Sequence, residues 1–153
     1  MLIDNYLNKF KTVSKGIINL MMRIDKILCD IVAKMLAKAF DEICKHRGYE
    51  ASLPLVEEWI NDDNPNVIRA VTEGLRMRIW TSCPFFKENP LVAIALIAKH
   101  KAHESEYLRK SVGNALRDIS KKHAELIRQE VQQWDLSYPR VLFTYKLAAK
   151  LLK

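Results

Sequence analysis

The sequence contains little that would interrupt a helix, because its 153 residues include only four glycines and five prolines. Glycine and proline are the weakest helix formers, whereas the abundant Leu, Ala, Lys and Glu favour helices. No segment alternates apolar and polar residues for long enough to predict a strand. No apolar run approaches the roughly 18 to 20 residues that a membrane span requires. The composition therefore predicts a helical globular domain with no membrane association.

Features of secreted proteins and of several enzyme classes are also missing. The three cysteines show no paired spacing, which indicates free thiols in a reducing cytoplasm. Asp4, Asn5 and Asn8 interrupt the first residues, so these do not form the core of a signal peptide. The lack of a glycine-rich phosphate loop argues against kinases, nucleotide hydrolases and dinucleotide enzymes. His100 and His103 lack the Cys or carboxylate partners that would complete a metal site.

Basic residues exceed acidic ones, and the excess is concentrated towards the C-terminus. The net charge is +7, and residues 99–153 alone contain twelve basic and six acidic side chains. Lys and Arg release the counterions that condense on phosphates, so this distribution favours a polyanionic partner such as DNA. The alternative interpretation is a solvated basic face that binds nothing acidic.

Proline marks the start of several predicted helices, since its missing N–H costs nothing at a first helical position. The three candidate starts are Asn64-Pro65, Asn89-Pro90 and Tyr138-Pro139. Ser52 and Ser105 are further candidate N-caps. Together with the apolar periodicity, these signals predict helices at about 3–14, 17–24, 27–46, 53–61, 65–79, 90–101, 105–121, 124–134 and 139–152.

The chain contains an internal repeat with a shift of 41 residues, in which Val71 matches Val112 and Leu75 matches Leu116. The two copies are NVIRAVTEGLR and EYLRKSVGNALR, and PRVLFTYKLAAKLL is a degenerate third copy. Helix pairs that recur at about 35 to 45 residues are typical of HEAT-like solenoids. We therefore expect an all-α, right-handed superhelical solenoid of about eight or nine helices. Residues 1–153 would form one domain, with a divergent N-terminal cap or repeat at 1–50 and clearer repeats at 51–153.

Helical spacing separates a buried face from a polar face in each repeat. The predicted buried stripe of the first clear copy is Val67, Val71 and Leu75. The polar row beside it is Arg69, Glu73, Arg76 and Trp80. The 41-residue shift places an equivalent row at Lys110, Asn114, Arg117 and Lys121, and the third copy adds Lys146, Lys150 and Lys153. Stacked rows of this kind would form a basic ladder suited to a DNA backbone. Trp59 and Trp134 each end the shorter helix of a pair and are predicted to be packing residues.

Glu73 is the one acidic residue in its row, and its position has two interpretations. Arg69 and Arg76 lie four residues before it and three after it, so Glu73 fits an ordinary intrahelical ion pair. Alternatively, its carboxylate would stabilise the positive charge that develops on a sugar when a cationic alkylated purine leaves. Trp80 would then stack on the lesion, and Asp118 would supply a second carboxylate. Spacing alone leaves both interpretations open.

Two longer stretches carry a family resemblance. EEWINDDNPNVIRAVTEGLRMRIW and SEYLRKSVGNALRDISKKHAEL resemble the HEAT-like DNA alkylation repair proteins of bacteria, the AlkC/AlkD group. The resemblance covers residues 55–134 closely and 135–153 loosely. Members of the group are DNA glycosylases, or non-catalytic relatives, that hold duplex DNA on the concave face of the solenoid. They act without a metal on cationic lesions such as 3-methyladenine and 7-methylguanine. The resemblance implies a protein of the bacterial cytoplasm that associates with the nucleoid.

The same resemblance implies site residues when the motifs are matched position by position. The implied catalytic residues are Glu73, Asp118 and Trp80. The DNA-contacting candidates are Arg69, Arg76, Arg78, Arg109, Lys110, Asn114, Arg117 and Lys121. Neither a metal nor another cofactor is expected.

The expected function is binding of duplex DNA that contains alkylated bases, with hydrolysis of the N-glycosidic bond as the chemistry. Two alternatives remain open: a DNA- or RNA-binding HEAT module without chemistry, and a protein–protein scaffold. Because members of the group are generally longer at the N-terminus, a homo-oligomer formed through the shortened N-terminal end is a further expectation.

Overall fold

The computed structural model of the protein describes residues 45–76 and 84–152 and nine further positions between residues 9 and 42. Every regular element in these ranges is a helix, which confirms the predicted all-α class. The helices are α1 (Tyr49–Ile60), α2 (Pro65–Leu75), α3 (Pro84–Glu88), α4 (Pro90–Ala98), α5 (Glu106–Ser120), α6 (Ala124–Gln132), α7 (Pro139–Ala148) and a final 3-10 helix (Ala149–Leu151). In these ranges no helix is long and apolar enough to cross a membrane. The predicted helices 3–14, 17–24 and most of 27–46 lie outside the described residues, so the single-domain boundaries stay a prediction.

The predicted proline starts are confirmed. Proline occupies the first position of α2, α4 and α7. At α2 the Asn64 side chain also accepts a hydrogen bond from the backbone N–H of Asn66 at 3.0 Å, which satisfies one of the free donors of the first turn. Ser105 caps α5 in the same way by accepting from the N–H of Leu108.

The start of α1 differs from the prediction. The helix begins at Tyr49 rather than near residue 53, and Gly48 precedes it with a φ of 83°, a left-handed conformation that glycine adopts without strain. Ser52 is therefore not a cap, and the prediction was wrong. It lies inside the helix, where its hydroxyl donates to the carbonyl of Gly48 at 2.8 Å. Pro54 is also inside α1. The apolar periodicity and the position of this proline therefore led to a predicted helix start that was too late in the sequence.

The end of α2 also differs from the prediction. The helix ends at Leu75, whereas the sequence predicts a helix to residue 79, because the backbone at Arg76 is extended, with φ −63° and ψ 129°. Residues 77–83 are outside the described part of the chain. A helical row that continues from Arg76 to Trp80 is therefore incompatible with the observed end of α2.

The helices form two layers of stacked pairs. In one layer α2 contacts α5 and α5 contacts α7, and in the other layer α1 contacts α4 and α4 contacts α6. The pairs α1/α2, α4/α5 and α6/α7 connect the two layers. Each pair contacts its neighbour along the chain, as the internal repeat predicts.

The core lies between the two layers and contains the predicted stripe. The buried residues include Val67, Val71 and Leu75 of α2 and their counterparts in the next repeat, Leu108, Val112 and Leu116 of α5. Trp59 and Trp134 are buried as well, which confirms that they are packing residues. The indole N–H of Trp134 donates to Glu130 at 2.9 Å.

The contact between α5 and α7 is close because α5 has a glycine where the two helices meet. A Cβ added at Gly113 would lie 2.6 Å from the Cβ of Leu147 and 3.1 Å from the carbonyl oxygen of Thr144. The Thr144 hydroxyl also donates to the carbonyl of Lys101 at 2.6 Å, which ties α7 to the loop before α5. Gly113 therefore allows successive repeats to approach each other closely.

Replacing Gly113 by alanine should lower the free energy of unfolding by about 1–3 kcal/mol, because the added Cβ would force α5 and α7 apart. Gly16 is the matched control, since no atom lies within 4 Å of a Cβ added there. Gly16 is helical in the structure, so Gly16→Ala should retain or slightly raise stability, because alanine is the better helix former. Urea unfolding of both variants checks this, and equal stability of the two would contradict a tight α5–α7 contact.

Candidate functional site

A group of polar side chains joins α2 to α5. We call this group the α2–α5 polar network. It contains Arg69 and Glu73 of α2, Arg76 directly after α2, Ser111, Arg117 and Asp118 of α5, and Lys121 directly after α5. Because α2 and α5 belong to successive helix pairs, the network connects two repeats.

Glu73 is buried, with 6% of its surface exposed, and both of its carboxylate oxygens accept hydrogen bonds. The Ser111 hydroxyl donates to Oε1 at 2.7 Å. Nη1 of Arg76 donates to Oε2 at 2.6 Å. The ion pair with Arg76 that the spacing of three residues indicates is therefore present.

Asp118 is more deeply buried, and its carboxylate faces several cations. Nη2 and Nε of Arg76 donate to Oδ2 at 2.5 and 3.2 Å, while Nζ of Lys121 lies 3.0 Å from Oδ1. Nη2 of Arg117 lies 3.5 Å from the same Oδ1. The side chain of Asp118 is 0% exposed, against 44% for that of Lys121.

These contacts shift two pKa values in opposite directions. Burial acts to raise the pKa of Asp118, but hydrogen bonds from Arg76 and Lys121 outweigh it and lower that pKa below its ordinary value of 3.8. Burial likewise acts to lower the pKa of Arg76, and the charge of Glu73 and the hydrogen bond to Asp118 raise it instead. Asp118 and Arg76 are therefore both ionised at neutral pH.

Arg69 and Ser111 complete the network on the side away from Asp118. Nε of Arg69 donates to the Ser111 hydroxyl at 3.0 Å, so this hydroxyl accepts from Arg69 while it donates to Glu73. Ser111 was not among the site residues predicted from the sequence. Its signal would have been its place in the middle of a helix, where serine is unfavourable without a specific partner.

The other predicted DNA-contacting residues of α5 have different environments. Lys110 is exposed and forms an ion pair with Glu106 at 2.6 Å. Arg109 donates through Nη1 to the carbonyls of His103 and Glu104 at 2.6 and 2.8 Å, and its guanidinium lies 5.3 Å from the Phe143 ring centroid. Arg109 therefore holds the loop before α5 in the structure.

The remaining predicted site residues are Asn114, Arg78 and Trp80. Asn114 is partly buried on α5. Arg78 and Trp80 fall within 77–83 and lie outside the described residues, so their predicted roles stay predictions. In the part of the chain that the structure describes, no group of three His, Cys, Asp or Glu side chains is arranged to hold a metal ion.

The network as a whole is a cationic surface with buried acidic centres. It has four cations, Arg69, Arg76, Arg117 and Lys121, and two carboxylates. The carboxylates are buried, whereas Lys121 reaches solvent. An anion that approaches from solvent would therefore meet basic groups before it met either carboxylate.

Comparison with known protein families places the chain among DNA repair proteins. Residues 4–147 match the family described as DNA alkylation repair enzyme. The protein YhaZ of Bacillus subtilis (strain 168) is 38% identical over 96 residues, which are 61% of this chain and 27% of YhaZ.

Solved structures of similar proteins share the architecture. AlkD2 from Streptococcus mutans is 46% identical, with a TM-score of 0.77 over 97% of this chain and 69% of AlkD2. The protein smu.31 from Streptococcus mutans UA159 is 51% identical, with a TM-score of 0.73 over 80% of this chain and 60% of smu.31. The alkylpurine DNA glycosylase AlkC from Pseudomonas fluorescens, solved bound to DNA containing an abasic site analogue, is 30% identical. Its TM-score is 0.64 over 73% of this chain and 32% of AlkC.

These similarities confirm the predicted superhelical solenoid of HEAT-like helix pairs. They also show how much of the length of each relative this chain covers. The chain spans less than two thirds of YhaZ, smu.31 and AlkC, with shares of 27%, 60% and 32%.

Asp118→Asn should destabilise the fold by about 3–5 kcal/mol at pH 7, because Arg76 would lose a buried counter-charge. The pKa of Asp118 is depressed in the folded state, so its stabilising effect is complete above pH 3.8 and is lost as the pH falls through the lower folded-state value. The stability difference between wild type and Asp118→Asn should therefore shrink on acidification below about pH 4. Urea unfolding from pH 7 to pH 3 measures it.

Glu125→Gln is the control for this experiment, because Glu125 pairs with Arg128 on the exposed surface of α6. Its effect should stay within about 0.5 kcal/mol at all pH values. A wild type–Asp118→Asn difference that is independent of pH would contradict the assignment of the charge effect to Asp118.

Proposed function

The chain belongs to the DNA alkylation repair enzyme family, and we propose that it binds duplex DNA containing alkylated bases along the α2–α5–α7 layer. The main support for this proposal is the α2–α5 polar network. It gathers four cations at the junction of two repeats and buries the two carboxylates among them. A DNA backbone presents phosphates at regular intervals, and stacked helices present cations at regular intervals.

Lys121 and Arg117 are the network cations proposed to make the first phosphate contacts. Their side chains are 44% and 25% exposed, and both lie close to Oδ1 of Asp118. Lys146 and Lys150 of the next repeat are exposed as well. In this proposal they extend the phosphate-binding surface along α7 and the final 3-10 helix, on the concave face of the solenoid.

For the chemistry we propose hydrolysis of the N-glycosidic bond of a cationic alkylated purine, such as 3-methyladenine or 7-methylguanine. The bond breaks with its electron pair moving to the base nitrogen, which neutralises the base. The sugar becomes an oxocarbenium ion, which a carboxylate stabilises electrostatically. Water then adds to the sugar carbon and gives up a proton. Glu73 and Asp118 are the proposed carboxylates, and Trp80 is the proposed stacking residue.

A second candidate function is binding of the same DNA without cleavage, and one observation favours it. Both oxygens of Glu73 accept hydrogen bonds, and the side chain of Asp118 has no exposed surface. Neither carboxylate can contact a sugar unless Arg76 moves. The glycosylase chemistry therefore requires a rearrangement of the network when DNA binds, whereas binding alone does not.

Duplex DNA affinity should fall steeply with added salt, because each phosphate contact releases a counterion. Lys121→Ala should weaken binding and reduce the slope of log K against log salt by about 0.9, the value for one lost contact on duplex DNA. Fluorescence anisotropy with a labelled duplex at several salt concentrations measures both quantities.

Lys99→Ala is the matched control, because Lys99 is an exposed lysine at the end of α4, in the opposite helix layer. It removes the same charge and should leave the slope unchanged. Affinity that is insensitive to salt would contradict phosphate binding and would favour a protein–protein scaffold. Equal effects of the two variants would contradict phosphate binding by the α2–α5–α7 layer.

Wild type should release methylated purines from alkylated duplex DNA above the rate without protein, and Glu73→Gln and Asp118→Asn should each reduce release by roughly 10²- to 10³-fold. Glu125→Gln should release them at the wild-type rate. Chromatography of the free bases measures the release. If wild type binds the DNA but releases no more base than the blank, the non-catalytic candidate replaces the glycosylase chemistry.

A further inference from the structure

The guanidinium of Arg76 is held by all three of its nitrogens. Nε and Nη2 donate to Oδ2 of Asp118, and Nη1 donates to Oε2 of Glu73. A guanidinium has five N–H bonds, so these three contacts leave two, one on each terminal nitrogen. The two carboxylates come from different repeats, which fixes the plane of the guanidinium relative to both helices.

Arg76 is the most exposed member of the group that it forms with Glu73 and Asp118. The side chain of Arg76 is 18% exposed, that of Glu73 8% and that of Asp118 0%. Of these three side chains, Arg76 is therefore the one that an anion in solvent reaches most easily.

The fixed orientation of the Arg76 guanidinium favours phosphate binding, because an arginine side chain is flexible when nothing holds it. Its side chain loses rotamer freedom when it binds a phosphate through two N–H groups, and this loss weakens binding. In this protein the loss occurs when the protein folds, since Glu73 and Asp118 already hold the side chain. The planar fork then suits bidentate binding of a phosphate.

We infer that Glu73 and Asp118 are positioning residues for DNA binding, which hold Arg76 so that its two remaining N–H groups bind a backbone phosphate. This inference rests on the proposed DNA binding and adds a role for the carboxylates that does not depend on cleavage. In this role the two buried acids strengthen DNA binding, although they carry the same sign of charge as the DNA.

The inference predicts the sign of a mutational effect. If Glu73 and Asp118 were merely nearby negative charges, removing either charge would tighten DNA binding, because phosphates would be repelled less. If they position Arg76, neutralising either one releases the guanidinium and weakens binding. The two possibilities therefore predict opposite changes in affinity.

The chain offers a matched control pair. Glu125 and Arg128 of α6 have the same spacing of three residues as Glu73 and Arg76 and also form an ion pair. Their side chains are 66% and 37% exposed, so this pair is on the surface. Glu125→Gln removes an equivalent charge without affecting the α2–α5 polar network.

The experiment measures the affinity of an unmodified duplex for wild type, Glu73→Gln, Asp118→Asn, Arg76→Lys and Glu125→Gln at several salt concentrations. Glu73→Gln, Asp118→Asn and Arg76→Lys should each bind roughly tenfold more weakly. Lysine keeps the charge, but its single nitrogen cannot reproduce the fork. The salt slope of the two carboxylate variants should fall by about 0.9, although no basic residue has been removed. Glu125→Gln should match wild type.

Circular dichroism and thermal unfolding establish that each variant is folded at the assay temperature. If Asp118→Asn is not folded, Glu73→Gln and Arg76→Lys decide the question. Binding by Glu73→Gln that equals or exceeds wild type would overturn the inference and leave the proposed DNA binding intact. Wild type that shows no salt-dependent binding would instead overturn the proposed function itself.

Discussion

The pairing of Arg76 with two carboxylates is the interaction on which the polar part of this structure depends. An arginine and two acids removed from water carry a large desolvation penalty, which is offset only when every charge has a close partner. Glu73 and Asp118 meet this condition because Arg76 contacts both of them, and Ser111 and Lys121 supply the remaining hydrogen bonds. The loss of Arg76 would remove a close cation from both buried carboxylates at once. The network therefore constrains the relative position of two neighbouring repeats.

The apolar contacts of the solenoid bring these polar groups together. In a stacked array each helix pair contacts only its neighbours, so residues far apart in sequence meet at the junctions between repeats. Gly113 lets α5 approach α7 closely, while the buried faces of α2 and α5 bring Arg76 against Asp118. The charged network and the apolar core thus belong to the same helix contacts. A change in helix packing would alter both.

The contacts of Arg76 with Glu73 and Asp118 also show how a basic surface can contain acidic residues. A solvated row of lysines and arginines would attract DNA through charge alone, and each side chain would lose its freedom on binding. Here buried carboxylates hold Arg76 in a fixed plane, and the exposed Lys121 lies beside them. In the proposed function this gives the surface both net positive charge and a fixed geometry. The same carboxylates are candidates for stabilising a sugar cation, but only after Arg76 has moved.

The features that follow from local spacing could be predicted from the sequence alone. The apolar period of α2 and α5, the proline starts and the 41-residue repeat predict the helices and their stacking, because burial of an apolar face depends on residues three and four apart. The polar row was only partly predicted. Glu73 and Arg76 were identified together, yet Ser111 was missed and α2 ends at Leu75 before the row is complete. The pairing of Asp118 with Arg76 and the burial of both acids became evident only from the packing of the helices. Such contacts depend on how two helices from different repeats pack against each other, which no local pattern specifies.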